Sequence, residues 1–279
     1  MKSALLQLNV SDDPLANLAI TRGMLAQAAG QGAQFVLTPE VTNCVSVNRD
    51  HQRAVLHLEA NDPTLAALGE DAATLGIWLS IGSLALKTED ADGRFANRSF
   101  LIDPQGEIVA RYDKIHMFDV QVTATETWRE SAGYRPGNDA VMVRTPFGNI
   151  GMTICYDVRF PALYQSLAEA GADILTVPAA FSPVTGAAHW HSLLRARAIE
   201  TGCFVIAAAQ TGIHASAKHK TRQTYGHSLV ISPWGEVMVD AGTQAGIYLF
   251  DLDMTQTGSA RAKVPSMSHR RAFNEPHER

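Results

Sequence analysis

Short apolar runs recur along this chain in two settings, and their alternation is what most restricts its fold. Some runs are separated by helical segments. "SALLQLNV" is followed by "DDPLANLAITRGMLAQAAGQG", which has an acidic start, a proline in its first turn and a glycine at its end. "AQFVLTPE" then reads as a strand, "PTLAALGEDAATLG" as a helix and "IWLSIGSLAL" as a strand. Further on, "ALYQSLAEAGA" reads as helix, "DILTVPAA" as strand, "AAHWHSLLRARAIETG" as helix and "CFVIAAAQ" as strand. Other runs pair across turn residues: "FANRSFLIDPQGEIVARYDKIH" turns at Asp103 to Gly106, "VMVRTPFGNIGMTIC" at Pro146 to Asn149, and "GHSLVISPWGEVMVD" at Pro233 to Gly235. "GIYLFDLD" is the last strand. Helical crossovers make parallel pairs and hairpins make antiparallel ones, so the expected class is α/β with mixed sheets. So many strands in one chain imply two sheets stacked face to face with helices outside.

The chain has 279 residues, 46% of them hydrophobic, enough to bury a large core without a staple. No linker, repeat or low-complexity stretch divides it, and it reads as one domain over residues 1–279. A net charge of −5 offers no basic field for nucleic acid or an anionic membrane. The N-terminal run is broken by Gln7 and Asn9 and lacks the pattern of a signal peptide. No stretch is long and apolar enough to be a membrane span. Three widely spaced cysteines, Cys44, Cys155 and Cys203, form neither a disulfide framework nor a zinc ribbon, which points to a reducing, cytoplasmic setting.

Reactive side chains stand where strands stop: Glu40 after "FVLTP", Lys114 after "IVARYD" and Cys155 after "IGMTI". The long loop from Met117 to Asn138 adds Glu130 in "WRES". Carboxyl ends of strands are where α/β sheets build sites. Each residue alone has an ordinary reading, a solvated cap or a small buried thiol; together they supply every part of an acyl-transfer site. A free thiol is mostly protonated at neutral pH and needs a base, or positive charge, beside it. Glu40 is the expected base, and its double duty calls for a carboxyl whose pKa rises in a dehydrated site. Lys114 and the backbone N–H of Tyr156 are the expected oxyanion donors.

Rival chemistries fit less well. His189 and His191 flank Trp190, and His214, His219 and His227 follow, but positions two apart on a helix do not share a face and no H-E-x-x-H occurs. The chain has no G-x-S-x-G for a serine hydrolase. "SDDPLANLA" after the first strand cannot cradle a dinucleotide. The segment "HASAKHKTRQTYGH" is locally basic; it reads as a solvated loop or as an attractor of anionic substrate.

The motifs "LTPEV", "YDKIHMFDV" and "GMTICYDVRFP" resemble those of the nitrilase superfamily of carbon–nitrogen hydrolases, as do the longer segments "PAAFSPVTGAAHWHSLLRARAIE", "YGHSLVISPWGEV" and "VPSMSHRR". That resemblance implies an αββα sandwich of two mixed sheets, which pairs into four-layered dimers or higher homo-oligomers, with residues 252–279 as a C-terminal extension used in subunit contacts. It implies that Glu40, Lys114 and Cys155 form the catalytic triad, with Glu130 as a further glutamate. It also implies a thioester intermediate, an amide and water as substrates, and no metal or organic cofactor. Within the family the details resemble the Nit branch of small-acid amidases, above all those acting on deaminated glutathione, with ammonia expected to leave. Omega-amidase action on 2-oxoglutaramate or 2-oxosuccinamate, and N-carbamoyl amino acid hydrolysis, are the enzymatic alternatives. A non-catalytic protein of the same fold is the alternative outside enzymes. An acidic substrate calls for cations: Arg129, Arg159, Lys218, Lys220 and Arg222 are candidates, with Phe181 and His189 as further pocket residues. Arg159 has a structural reading as well, an ion pair with Asp157.

Overall fold

The computed structural model describes residues 1–123, 127–216 and 221–274. The first sheet contains β1 (Lys2–Gln7), β2 (Phe35–Leu37), β3 (Trp78–Leu86), β4 (Ala96–Ile102), β5 (Ile108–Asp113) and β16 (Gly246–Asp251), in the order β16-β1-β2-β3-β4-β5. The second contains β8 (Val141–Thr145), β9 (Gly148–Met152), β10 (Ile174–Thr176), β11 (Phe204–Ala207), β14 (Leu229–Ile231) and β15 (Val237–Asp240), in the order β15-β14-β11-β10-β9-β8. Each sheet has a parallel centre, β1-β2-β3 and β9-β10-β11, and antiparallel flanks. This is the mixed architecture the sequence implies.

The helices follow from their ends. Asp13 caps α1 (Pro14–Gly30) by accepting from the N–H groups of Leu15 and Ala16, and Asp62 caps α3 (Pro63–Leu75) through the Leu65 N–H. Pro161 and Pro183 open α4 (Pro161–Glu169) and α5 (Pro183–Thr201), where a missing N–H costs nothing. Period-two alternation assigns faces on β1. Leu5 shares a buried cluster with Ile150, Met152 and Ile174 of the second sheet, whereas Ala4 and Leu6 share one with Leu25 of α1 and Leu68 of α3. Helices α4 and α5 cover the other side of the second sheet, with Tyr164, Trp190 and Leu194 fully buried. The layers are therefore α, β, β, α.

Four elements were not legible in the sequence: α2 (Arg49–Val55), the ribbon of β6 (Asp119–Gln121) with β7 (Thr127–Arg129), the ribbon of β12 (Thr211–His214) with β13 (Arg222–Tyr225), and α6 (Thr255–Lys263). The first ribbon lies in the segment read as a long loop, and β13 in the segment read as a basic loop. Their strands are three or four residues long and polar, too short to show a period. No helix among the described residues is long and apolar enough to cross a membrane.

Candidate active site

The carboxyl ends of strands from both sheets meet at one cavity of about 580 Å³. Glu40 follows β2, Lys114 follows β5, and Cys155 opens a 3-10 turn, Cys155–Arg159, after β9. All three are nearly inaccessible, at 4%, 2% and 7% exposure. Lys114 Nζ donates to Glu40 Oε1 at 2.9 Å and to both Glu130 carboxylate oxygens at 2.9 Å. Glu40 Oε1 also accepts from Asn97 Nδ2 at 2.8 Å, and Oε2 accepts from the Ala180 N–H at 2.7 Å. The Cys155 thiol lies close enough to both Glu40 and Lys114 to feel their charges. The structure thus brings the four predicted residues into one cluster.

Burial and charge place the protons. Burial alone would raise the Glu40 pKa, but the Lys114 and Arg222 charges and its hydrogen bonds hold it below the usual range. Burial would likewise lower Lys114, yet Glu130 and Glu40 raise it well above a free lysine. Burial first, and then the Glu40 carboxylate, push Cys155 well above a free thiol against the opposing pull of Lys114. The resting arrangement is a neutral thiol beside an ionised glutamate and a protonated lysine. The expectation of a raised glutamate pKa is corrected here: the cation is too close.

Two backbone positions at this site are strained. Cys155 has φ 53° and Val41, next to Glu40, has φ 48°, in the left-handed region that non-glycine residues avoid. Each is tied down: the Cys155 N–H donates to Pro178 O at 2.9 Å and the Val41 N–H to Ser83 Oγ at 2.8 Å. The Glu40 turn also needs Gly82, since a Cβ there would lie 2.1 Å from Thr38 O and 2.6 Å from the Pro39 carbonyl carbon. Tyr156 is the second residue of the 3-10 turn, where backbone N–H groups have no partner within the turn.

Asp157, fully buried, joins the two halves. It accepts from the Ile154 N–H at 2.8 Å beside the cysteine, and from Tyr112 Oη at 2.6 Å and the His116 N–H at 3.0 Å on either side of Lys114. Its second contact to His116 is through Nδ1 at 2.7 Å. The reading of Arg159 as its ion partner is therefore corrected. Arg159 instead lies over the rings of Tyr156 and Phe181, 5.9 and 5.7 Å from their centroids, and contacts His189 Nδ1 at 3.2 Å. Asp157→Ala would leave several buried donors unpaired and is expected to lower unfolding free energy by about 2–4 kcal/mol, read in a urea titration.

Of the pocket candidates, Arg129, Phe181 and Arg222 line the cavity; Arg159 and His189 are not among its lining residues, and Lys218 and Lys220 lie outside the described residues. Asn97 and Arg49 are among the lining residues that sequence reasoning missed. Asn97 had a legible signal, a carboxamide inside an apolar strand. Arg49 had none: its guanidinium lies over the Tyr134 ring at 4.9 Å and bonds Gln52 Oε1 at 2.8 Å. It occupies space that Gly133 leaves open, since a Cβ there would meet the Arg49 guanidinium carbon at 2.1 Å. Among the described residues no carboxylate pairs with Arg49, Arg129 or Arg222 at ion-pair distance.

A sandwich of this kind with an enclosed cysteine, glutamate and lysine belongs to a class of enzymes that cleave carbon–nitrogen bonds. The family description "Carbon-nitrogen hydrolase" matches residues 2–262, and the chain belongs to that family, within the nitrilase superfamily. It is a hydrolase of carbon–nitrogen bonds other than peptide bonds. A deaminated glutathione amidase of Yersinia enterocolitica is 38% identical over 269 residues, covering 96% of this chain and 92% of that protein. The NitFhit protein of C. elegans superimposes with a TM-score of 0.88 at 34% identity, over 97% of this chain; the chain spans 65% of that fusion protein's length. An amidase of Nesterenkonia sp. AN1, a glutamate-to-glutamine mutant with acrylamide added at its active-site cysteine, superimposes with a TM-score of 0.75 at 27% identity, over 95% of this chain and 98% of that one.

Proposed function

We propose that the chain hydrolyses the side-chain amide of a small, multiply anionic 2-oxo acid, of which deaminated glutathione is the leading case, through a thioester on Cys155. The observation that carries this reading is the grouping of Cys155, Glu40 and Lys114 at the floor of a cavity whose walls hold guanidinium groups with no carboxylate at ion-pair distance among the described residues. Glu40 takes the thiol proton as sulfur attacks the amide carbon, then returns it to the departing nitrogen as the carbon–nitrogen bond breaks. The oxyanion is met by the Tyr156 N–H and by Lys114. All three ammonium protons of Lys114 face carboxylate oxygens at rest. Lys114 serves the oxyanion by giving up one of its two Glu130 contacts. Water then attacks the thioester with Glu40 again as base and Glu130 helping to position it, which frees the acid and restores the thiol.

Arg49, Arg129 and Arg222 supply more positive charge than a monoacid requires, and a cavity of about 580 Å³ is roomy for a five-carbon substrate. Both features favour deaminated glutathione over 2-oxoglutaramate. Their leaving groups differ, and the expectation of ammonia is corrected for the first: it releases an amine from a γ-linked amide, and only the second, a primary amide, releases ammonia. Both yield 2-oxoglutarate, so its appearance measures the two in parallel. A kcat/KM preference of about 100-fold for deaminated glutathione is expected. An equal preference for 2-oxoglutaramate would move the chain to the omega-amidases. Arg222→Ala and Arg49→Ala are each expected to raise KM for deaminated glutathione by about 10- to 100-fold.

The three cysteines are free and buried, which supports a reducing, cytoplasmic setting. Val264 and Phe273, at 55% and 89% exposure, support residues 252–279 as a subunit-contact segment of a one-domain chain that pairs with itself. Removal of residues 264–279 is expected to lower the oligomer order seen by sedimentation velocity.

A further inference from the structure

Neither histidine of the H-x-H pair on α5 lines the active-site cavity. The helix sends its two imidazoles to different places, as a two-residue offset requires: His189 faces Arg159, while His191 turns toward the end of β15. There His191 Nε2 lies 2.9 Å from Asp240 Oδ2, and His227 Nδ1 lies 2.8 Å from Asp240 Oδ1. The three ligating atoms all fall within 4.8 Å of one another, though their residues come from α5, the β13–β14 connection and the end of β15.

We propose that His191, His227 and Asp240 form a binding site for a divalent transition-metal ion of the zinc class, which clasps α5 to the β13–β14 connection and to β15. Two imidazoles and one carboxylate are a zinc donor set, and zinc bound this way keeps a position for water. Around such an ion the ligating atoms settle about 3.3 Å apart: the two imidazole–carboxylate contacts, at 2.9 and 2.8 Å, open by a few tenths of an ångström, and the two ring nitrogens, within 4.8 Å of one another, draw in on the ion. Partial exposure, 35%, 24% and 35% for the side chains of His191, His227 and Asp240, gives an ion entry from solvent. Asp240 as a carboxylate only accepts, so Nε2 of His191 and Nδ1 of His227 are the donors in the resting cluster; on binding, each imidazole loses that proton to solvent, takes one up on its other ring nitrogen and gives the freed lone pair to the ion.

A second, independent observation is the backbone at His227. It has φ 53°, a conformation a histidine adopts only when its surroundings hold it there. They do: its N–H donates to Gly242 O at 2.6 Å, its carbonyl accepts from Trp190 Nε1 at 2.8 Å, and its ring stacks on Tyr225 at 4.5 Å and 22°. Asp240 Oδ1 is fixed in turn by the Gly242 N–H at 2.9 Å. The strained backbone and this second layer aim the imidazole at the carboxylate before any ion arrives, which is how ligand shells are pre-set. The start of α5 and residues Thr221 to Gln223 both line the active-site cavity, so a clasp here links two of its walls.

The test is equilibrium dialysis of the full chain against Zn²⁺, with melting curves on the same samples. It is run in the Cys155→Ala background, because the buried thiol is a zinc ligand in its own right. One zinc per chain with a Kd of about 10 µM or below is expected. His191→Gln, at a half-buried position of the helix, and Asp240→Asn are each expected to weaken binding by at least about 100-fold and to remove the zinc-dependent rise in melting temperature. No uptake in the Cys155→Ala chain, or uptake that both further substitutions leave unchanged, overturns the site and leaves the cluster as a hydrogen-bonded triad only.

Discussion

Cys155→Ala is expected to lower kcat/KM for the amide by at least about 10⁴-fold while the chain stays folded. The nucleophile is the only group in the cluster that makes and breaks a covalent bond, and no neighbour replaces it. Alanine fills the same backbone position, already strained at φ 53°, so unfolding free energy should move by no more than about 1 kcal/mol. Turnover is followed as 2-oxoglutarate released, and folding by a urea titration of the same preparation. Substrate should still bind, because Arg49, Arg129 and Arg222 are untouched. Turnover within tenfold of the parent chain, in a preparation free of contaminating amidase, would sink the thioester route.

Lys114→Met is expected to damage both activity and folding. At rest the ammonium neutralises Glu40 and Glu130, and Glu40 is 4% exposed. Breaking a buried pair by removing one partner leaves an uncompensated charge and costs about 3–5 kcal/mol. Here two carboxylates are orphaned, so the larger value applies, and a midpoint drop of about 10 °C should follow for a chain of this size. Loss of an oxyanion donor adds about 10²–10³ in kcat. The Glu40 carboxyl should then titrate upward, because burial is the force that Lys114 was overcoming. A pH–rate profile of the residual activity reads this as loss of the active form from the acid side at higher pH than in the parent. An unshifted acid limb would mean that Glu40 is not the group that titrates.

The polar centre was largely legible before any coordinates, and the reason is local. Glu40, Lys114 and Cys155 each end an apolar run, and a strand's last residue has a predictable place in an α/β fold. Glu130 was singled out from its place in the long loop, but its part as a further glutamate beside the triad came only through resemblance, since a 3-10 turn in a mostly irregular stretch has no periodic signal. What was hidden depends on distant contacts. Nothing around Arg49 says that Tyr134 and Gly133, more than eighty residues away, will cradle it. Nothing in "CYDVR" says that Asp157 will prefer Tyr112 and His116 to its near neighbour Arg159. The proton positions were hidden for the same reason: whether burial or a cation wins at Glu40 is set by a 2.9 Å approach from the other end of the sheet.

The cavity's walls come largely from pieces outside the two sheets: α2 with Arg49, the β6–β7 ribbon with Trp128 and Arg129, and β13 with Arg222. Its floor is made of strand ends locked by buried charge. Chemistry and recognition thus fall mostly on different segments of one chain, with Arg222 shared between them, since its charge also helps hold Glu40 ionised. A redesign that exchanges the α2 segment is expected to change which acid is admitted without moving the thiol, whereas a change to the floor or to Arg222 is expected to be felt in the rate as well. New amide substrates for this scaffold should be sought by grafting wall segments, with the floor kept as it is.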